Sequence, residues 1–234
     1  MKELAEQKKY QPQKLEESFR QRCEQDHCSF ELHAVSTNKG EQAAMLRAAK
    51  EIWPWVDYIH IREKHLTLQQ RFNWAKQMAA SGIPASHIVI NGANPSESSP
   101  FYQGVHWSRE MLHKAGVEMA AWHQHDVRMR LGISVHSAEE ARIAEEFGAD
   151  YLFFGHVYAS QSKPDTAPRG LAVLAEVCSS VRVPVIAIGG IQPSHIQAVR
   201  SSGARGAAVI SSILKHESPA YAAALFKQAV EAGM

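Results

Sequence analysis

Strand-like and helix-like stretches alternate along this chain from Phe30 onward, and no other feature constrains its fold as strongly. Short apolar or β-branched runs fall at FELHAVS (30–36), DYIHIRE (57–63), HIVIN (87–91), GVHW (104–107), LGISV (131–135), DYLFFG (150–155), PVIAIGG (184–190) and GAAVIS (206–211). Most of the stretches between them read as helices. EQAAMLRAAKEIW (41–53) and HSAEEARIAEEFG (136–148) repeat apolar positions at spacings near three and four. In the second, Ser137 stands as an N-cap with Glu140 at the capping-box position, and Gly148 fits C′. Strands joined by crossover helices run parallel, and eight of them close a barrel. The expected fold is therefore a single (β/α)8 barrel. The rival, an open doubly wound sheet, usually carries a glycine-rich turn after an early strand, and none follows HAVS. The segment EMAAWHQHDVRMR (118–130) has no clean periodicity, and a short extra strand or turn near Met119–Trp122 is its expected form.

Length and composition agree with this. The 234 residues approach the ~250 usual for such barrels, and 45% hydrophobic residues suffice for a sizeable core. Residues 1–28 differ: they are rich in Lys, Glu, Gln and Arg, and read as a polar N-terminal extension ahead of a barrel domain over 29–234. They lack the apolar core of a secretory signal. A formal net charge of +1 gives no field to attract nucleic acid, and no apolar run approaches a membrane span. Three cysteines, Cys23, Cys28 and Cys178, make no disulfide framework and fit a reducing, cytoplasmic setting. Exposed apolar helices are compatible with a homo-oligomer.

In a barrel, function collects where strands end and the following loops begin. Gly189-Gly190 after the seventh run and Ser211-Ser212 after the eighth form the clearest constellation. Small residues there let backbone N–H groups approach an anion, and a following helix N-terminus adds a favourable dipole. A tight turn alone would look the same at Gly-Gly. His136 ends the fifth run and titrates near neutrality, which makes it the proton-transfer candidate. His33 and His60 lie inside strand runs and read as packed, hydrogen-bonded barrel residues. His123 and His125, like His27 beside Cys23 and Cys28, lack the supporting ligands of a metal site. No metal site is expected. Arg62, Glu63 and Lys64 follow the second run, and alternation would send Arg62 and Lys64 to one side, toward an anion. Asn91 stands beside them as a hydrogen-bonding residue. Lys163 lies in a loop of about His156 to Gly170, long enough to act as a lid.

Taken in order, YIHIREK (58–64), LGISVHSAEEA (131–141), DYLFFGHVYASQSKP (150–164), PVIAIGGI (184–191) and GAAVISSI (206–213) resemble the thiamine-phosphate-synthase/TenI family. The resemblance runs from about Glu31 to the C-terminus. It implies a cytosolic (β/α)8 enzyme of thiamine biosynthesis, with a thiazole phosphate held at Gly189, Gly190, Ser211 and Ser212.

The family has two branches. Synthases couple a hydroxymethylpyrimidine pyrophosphate to the thiazole phosphate and use Mg²⁺, held by an Asp in an I-N-D-R-like third-strand motif and another after the fourth strand. Here the chain reads Ile90-Asn91-Gly92-Ala93 and Trp107-Ser108-Arg109-Glu110. The Thr-Pro-Thr-like segment that synthases carry after the sixth strand reads Gly155-His156-Val157-Tyr158-Ala159-Ser160. The FGHV and SVHS forms are similar to the other branch, the thiazole tautomerases, which need no cofactor. That resemblance implies an isomerase with His136 as proton shuttle and Arg62 or Lys163 offsetting carboxylate charge. Its rivals are a synthase with an altered metal site and a non-catalytic regulator that retains the phosphate pocket.

Overall fold

The apolar runs form strands because both of their faces are covered. In the computed structural model, which describes residues 30–38, 41–94, 99–115, 129–160 and 165–233, these are β1 (Glu31–Val35), β2 (Tyr58–Ile61), β3 (Ile88–Asn91), β4 (Gly104–Trp107), β5 (Arg130–Val135), β6 (Tyr151–Gly155), β7 (Val185–Ile188) and β8 (Gly206–Val209). Each pairs in parallel with the next, and β8 pairs back onto β1, with Glu31 opposite Gly206 and His33 opposite Ala208. The barrel is closed, as the eightfold alternation predicts, so no edge is left unpaired.

Alternation along each strand sorts side chains between two cores. Leu32, Ala34, Ile59, Ile61, Leu131, Ile133, Leu152 and Phe154 face the surrounding helices. Val35, Tyr151, Phe153, Ile186 and Ala208 fill the barrel. The interior is packed by contrast in size. A side chain at Gly132 would overlap the Tyr151 ring and collide with His106, so the missing side chain on β5 makes room for a ring from each neighbouring strand.

The helices are α1 (Gln42–Ile52), α2 (Leu68–Ala80), α3 (Arg109–Ala115), α4 (Ala138–Glu146), α5 (Gly170–Ser180), α6 (Ile196–Ser201), α7 (Ser211–Leu214) and α8 (Pro219–Glu231). Both expected cap residues of α4 are in place. Ser137 Oγ accepts the Glu140 N–H at 3.2 Å. At the other end Gly148, at φ 92°, allows Ala149 N–H to reach Ala144 O at 3.0 Å and Gly148 N–H to reach Glu145 O at 2.9 Å, a Schellman ending. One detail differs from the expected capping box: the Glu140 carboxylate accepts the N–H of His136 at 2.8 Å, not that of Ser137. Glu110 lies in the first turn of α3. The expectations for residues 1–28, for 118–128 and for Lys163 fall outside the described residues. No helix among the described residues is long and apolar enough to cross a membrane.

Candidate active site

The C-terminal ends of the strands gather the residues singled out from sequence. Ser36, fully buried at the end of β1, fixes the start of the β2 loop: its Oγ accepts the Arg62 N–H at 2.8 Å, and its own N–H donates to His60 O at 3.0 Å. Asn38 adopts φ 63°, a left-handed conformation that Asn tolerates. From there its N–H donates to Glu63 Oε1 at 3.1 Å, and its Oδ1 accepts the Lys64 N–H at 2.5 Å.

These bonds separate the charged triplet. β2 ends at Ile61, so strand alternation does not extend to Lys64, which is exposed. Arg62 is half-buried and Lys64 exposed, so the two differ in how far they reach into solvent. Glu63 is the buried member at 1% exposure and acts as a clip between the β1 and β2 loops, with His65 Nδ1 3.5 Å from its other oxygen. Arg62 is half-buried at the mouth, and no hydrogen-bond acceptor among the described residues takes up its guanidinium. Burial pulls its pKa down, partly offset by the Glu63 charge, and its own charge helps to hold His106 low.

His136 is held at several points. Its Nδ1 lies 3.1 Å from Gly155 O, and its backbone N–H is bound by Glu140, which also pairs with Arg109 at 3.3 Å. Donation from Nδ1 to a carbonyl sets the tautomer: the neutral ring then carries its lone pair on Nε2. Gly155 O also accepts from Arg169 Nε at 3.2 Å. Arg169 N–H donates to His156 O at 2.9 Å and Gly170 N–H to Val157 O at 3.1 Å, so the two ends of the β6 loop are stitched together.

Gly189 and Gly190 have φ of 102° and 67°, and both require glycine for that reason alone. A side chain at Gly189 would overlap His156, and one at Gly190 would overlap the carbonyl of Ala159, so the β6 loop lies directly on the β7 loop. Ser211 and Ser212 open α7, where the first N–H groups have no intrahelical acceptor. The Ser212 hydroxyl is engaged: it donates to Ile191 O at 2.9 Å and accepts from Gln192 Nε2 at 3.3 Å, clasping the β7 and β8 loops together.

Sequence reasoning passed over four groups here. Arg71, in the first turns of α2, donates from Nη1 to the carbonyl of Asn91, and a Cβ on Gly92 would lie 3.2 Å from that nitrogen. His106 is buried beneath the mouth, with Nε2 2.8 Å from Ser134 Oγ and Nδ1 3.3 Å from the Tyr151 hydroxyl. Burial, with the neighbouring His33 and Arg62, lowers its pKa to about 3. Glu31 and Arg130 pair at 2.7 Å at the opposite end of the barrel. The alternation that places His60 inside does the same for His106 and Glu31. Arg71 leaves no such trace, because a helical arginine near a loop is ordinary surface in sequence.

A Mg²⁺ site does not fit these residues. Where the resemblance places the third-strand Asp there is Gly92 with a guanidinium against it. After β4, Ser108 occupies the turn, and the exposed carboxylate of Glu110 bonds to that serine, which lowers its pKa. Among the described residues, no group of three or more His, Cys, Asp or Glu is arranged to hold a metal ion.

The comparisons agree with this architecture. A family model described as thiamine monophosphate synthase matches residues 32–213. A thiamine-phosphate synthase of Desulfitobacterium hafniense is 34% identical over 189 residues, covering 79% of this chain and 88% of that protein. The solved thiamine phosphate pyrophosphorylase of Pyrococcus furiosus superposes with a TM-score of 0.69 at 26% identity, over 88% of this chain and 97% of its own. A geranylgeranylglyceryl phosphate synthase from Thermoplasma acidophilum, solved with sn-glycerol-1-phosphate, shares the fold at a TM-score of 0.66 and 14% identity, over 90% of this chain and 96% of its own. The chain belongs to the TMP-TENI family, the family of thiamine monophosphate synthase.

Proposed function

We propose that this family member is a thiazole tautomerase, converting the thiazole carboxylate phosphate tautomer into its aromatic isomer. The observation that carries the reading is the β3 corner, where Gly92 and the Arg71 guanidinium stand in place of a metal-binding acid. A cation-lined corner repels Mg²⁺ and suits a substrate that already bears a carboxylate.

The chemistry asks little of the protein. The C–H bond at ring carbon two breaks and its electron pair enters the ring π-system. A proton is delivered to the exocyclic carbon, and atoms and charge balance without a cofactor. Aromatisation supplies the driving force. His136 Nε2 is the group that removes and returns the proton, with Nδ1 anchored to Gly155 O. Arg62, half-buried and without a hydrogen-bond acceptor among the described residues, offsets the carboxylate and the charge that develops beside it. The phosphate sits against Gly189, Gly190 and the N–H groups of Ser211 and Ser212. Lys163 stays in this scheme as a further cation from the β6 loop. Lys64 takes an outer role at the rim, and Asn91, at the end of β3 with its amide oxygen buried beside His60, supports the wall below it.

The test is product analysis with the tautomer as substrate, comparing wild type with His136→Ala. A full rate in the variant removes His136 from the mechanism. The second reading, a synthase, is favoured by the relatives' names. Incubation with the pyrimidine pyrophosphate, the thiazole phosphate and Mg²⁺ separates the two: thiamine phosphate accumulating at enzymic rates would replace the tautomerase reading.

A further inference from the structure

Tyr151, His106 and Ser134 form a chain of hydrogen bonds that rises from the barrel core to the mouth, and the proton-transfer scheme has no use for it. They stand on three neighbouring strands: His106 on β4, Ser134 on β5 and Tyr151 on β6. Tyr151 reaches His106 across β5 because residue 132, which pairs with both, is a glycine; a Cβ there would overlap the Tyr151 hydroxyl and His106 Nδ1. Tyr151 and His106 are buried, whereas Ser134 is partly exposed. Two residues of extended chain, roughly 7 Å, separate Ser134 from His136.

The buried end decides which way the protons point. Burial pushes the pKa of the Tyr151 hydroxyl up, so it remains an O–H, and its partner among the described residues is His106 Nδ1 at 3.3 Å. A buried donor left unpaired is costly, so Tyr151 donates. His106, held neutral by burial, has one donor and one acceptor nitrogen. With Nδ1 accepting, Nε2 carries the proton and donates to Ser134 Oγ at 2.8 Å. The serine oxygen is thus engaged as an acceptor, and no other side chain among the described residues takes up its O–H. That hydrogen is left to donate at the partly exposed wall of the mouth. Arg62 lies near enough for its charge to act on His106, so a cation adjoins the same wall.

We propose that Ser134 is a specificity-determining residue whose O–H, held toward the mouth by the positioning residues His106 and Tyr151, donates to the carboxylate of the bound thiazole carboxylate phosphate. The substrate matches in kind. Its carboxylate adjoins the carbon whose proton His136 removes, and it offers only acceptor oxygens. Arg62 meets it as a charge and Ser134 as a directed donor. The direction of the O–H stands on the hydrogen bonds; the identity of the acceptor rests on the tautomerase reading.

The experiment is a double-mutant cycle on the full-length protein, joined to a tautomer measurement. Ser134→Ala should raise KM for the thiazole carboxylate phosphate tautomer about tenfold, the scale of a lost hydrogen bond to a charged group. Inhibition by a thiazole phosphate without the carboxylate should stay within about twofold. Tyr151→Phe keeps the ring and frees the serine hydrogen to turn back toward His106, and should raise KM about threefold in the wild-type background but have almost no effect beside Ser134→Ala. Should Tyr151→Phe not fold, His106→Met removes the N–H that engages Ser134 and enters the same cycle. Additive effects overturn the positioning role. Long-range ¹H–¹⁵N correlation NMR at pH 8, with His106 assigned from a His106→Gln variant, should show protonated Nε2 and unprotonated Nδ1 in wild type and a mixture in Tyr151→Phe. Protonated Nδ1 in wild type overturns the direction of the chain. The NMR readout needs no turnover. Absence of turnover in wild type overturns the tautomerase reading and the carboxylate contact with it, whereas turnover with an unchanged KM in Ser134→Ala overturns this proposal alone.

Discussion

His136 Nδ1 lies 3.1 Å from the carbonyl oxygen of Gly155, so the last residue of β6 sets the tautomer of the ring that follows β5. A positioned general base or acid contributes about 10²–10⁴-fold to rate. His136→Ala is expected to lower kcat for the tautomer by that range while the protein still binds the phosphorylated product. Stopped assays and calorimetric titration measure the two quantities separately.

Gly155 has no room for a side chain, because a methyl group there would overlap the carbonyl of Ile188 on β7. Gly155→Ala should lower stability by about 1–3 kcal/mol, the usual cost of overpacking. It should also lower kcat, because the carbonyl that orients His136 must move with the strand. Thermal unfolding and turnover are the readouts, and an unaltered kcat would detach the carbonyl from the chemistry.

Arg62 presents a half-buried guanidinium that no hydrogen-bond acceptor among the described residues takes up. Arg62→Met keeps much of the stem and removes the charge. KM for the carboxylated substrate should rise about tenfold or more, the scale of a lost hydrogen bond to a charged group. Inhibition by a thiazole phosphate without the carboxylate should change far less.

The buried histidines make the fold acid-labile. His106 has its pKa lowered from 6.5 to about 3 by burial and by His33 and Arg62 nearby. The unfolded chain takes up its proton below pH 6.5 and the folded one does not, so this contribution is complete above pH 6.5 and is lost as pH falls toward 3. Down to pH 4 that amounts to on the order of 3 kcal/mol. His33 and His60 act in the same direction. Burial pushes Glu31 up, but the His33 hydrogen bond and the Arg130 charge outweigh it and bring it to about 2. Because His33 is itself held neutral, Arg130 is the charge that counts. The Glu31 contribution is present above pH 4.5 and is lost as pH falls through 2. Urea midpoints should therefore fall steadily from pH 7 to pH 4, and fall less steeply in His106→Gln.

The barrel was legible in sequence because each strand run is covered on both faces and each helix repeats at three and four. The α4 caps were legible down to single residues, since Ser137 and Gly148 act through local backbone geometry. The rim was less so. The Arg62–Glu63–Lys64 triplet reads as one charged cluster, but Asn38 and Ser36, more than twenty positions earlier, bind its backbone and carboxylate, leaving Arg62 half-buried, Glu63 buried and Lys64 exposed. Glu63 in particular reads as a solvent-facing or catalytic acid until Asn38 is seen to claim it. His106 was hidden among 13 histidines in a four-residue strand, and Arg71 reaches the β3 corner through a contact that no local pattern encodes.

The clasp between Ser212 and Ile191 bears on how this mouth meets whatever it holds. Two neighbouring loops are joined into one piece before anything arrives, so filling the seat sacrifices little chain freedom. Recognition there resembles a key meeting a cut lock more than a hand closing on a ball. Differences in affinity among ligands that share the seat should then be written in how long each one stays.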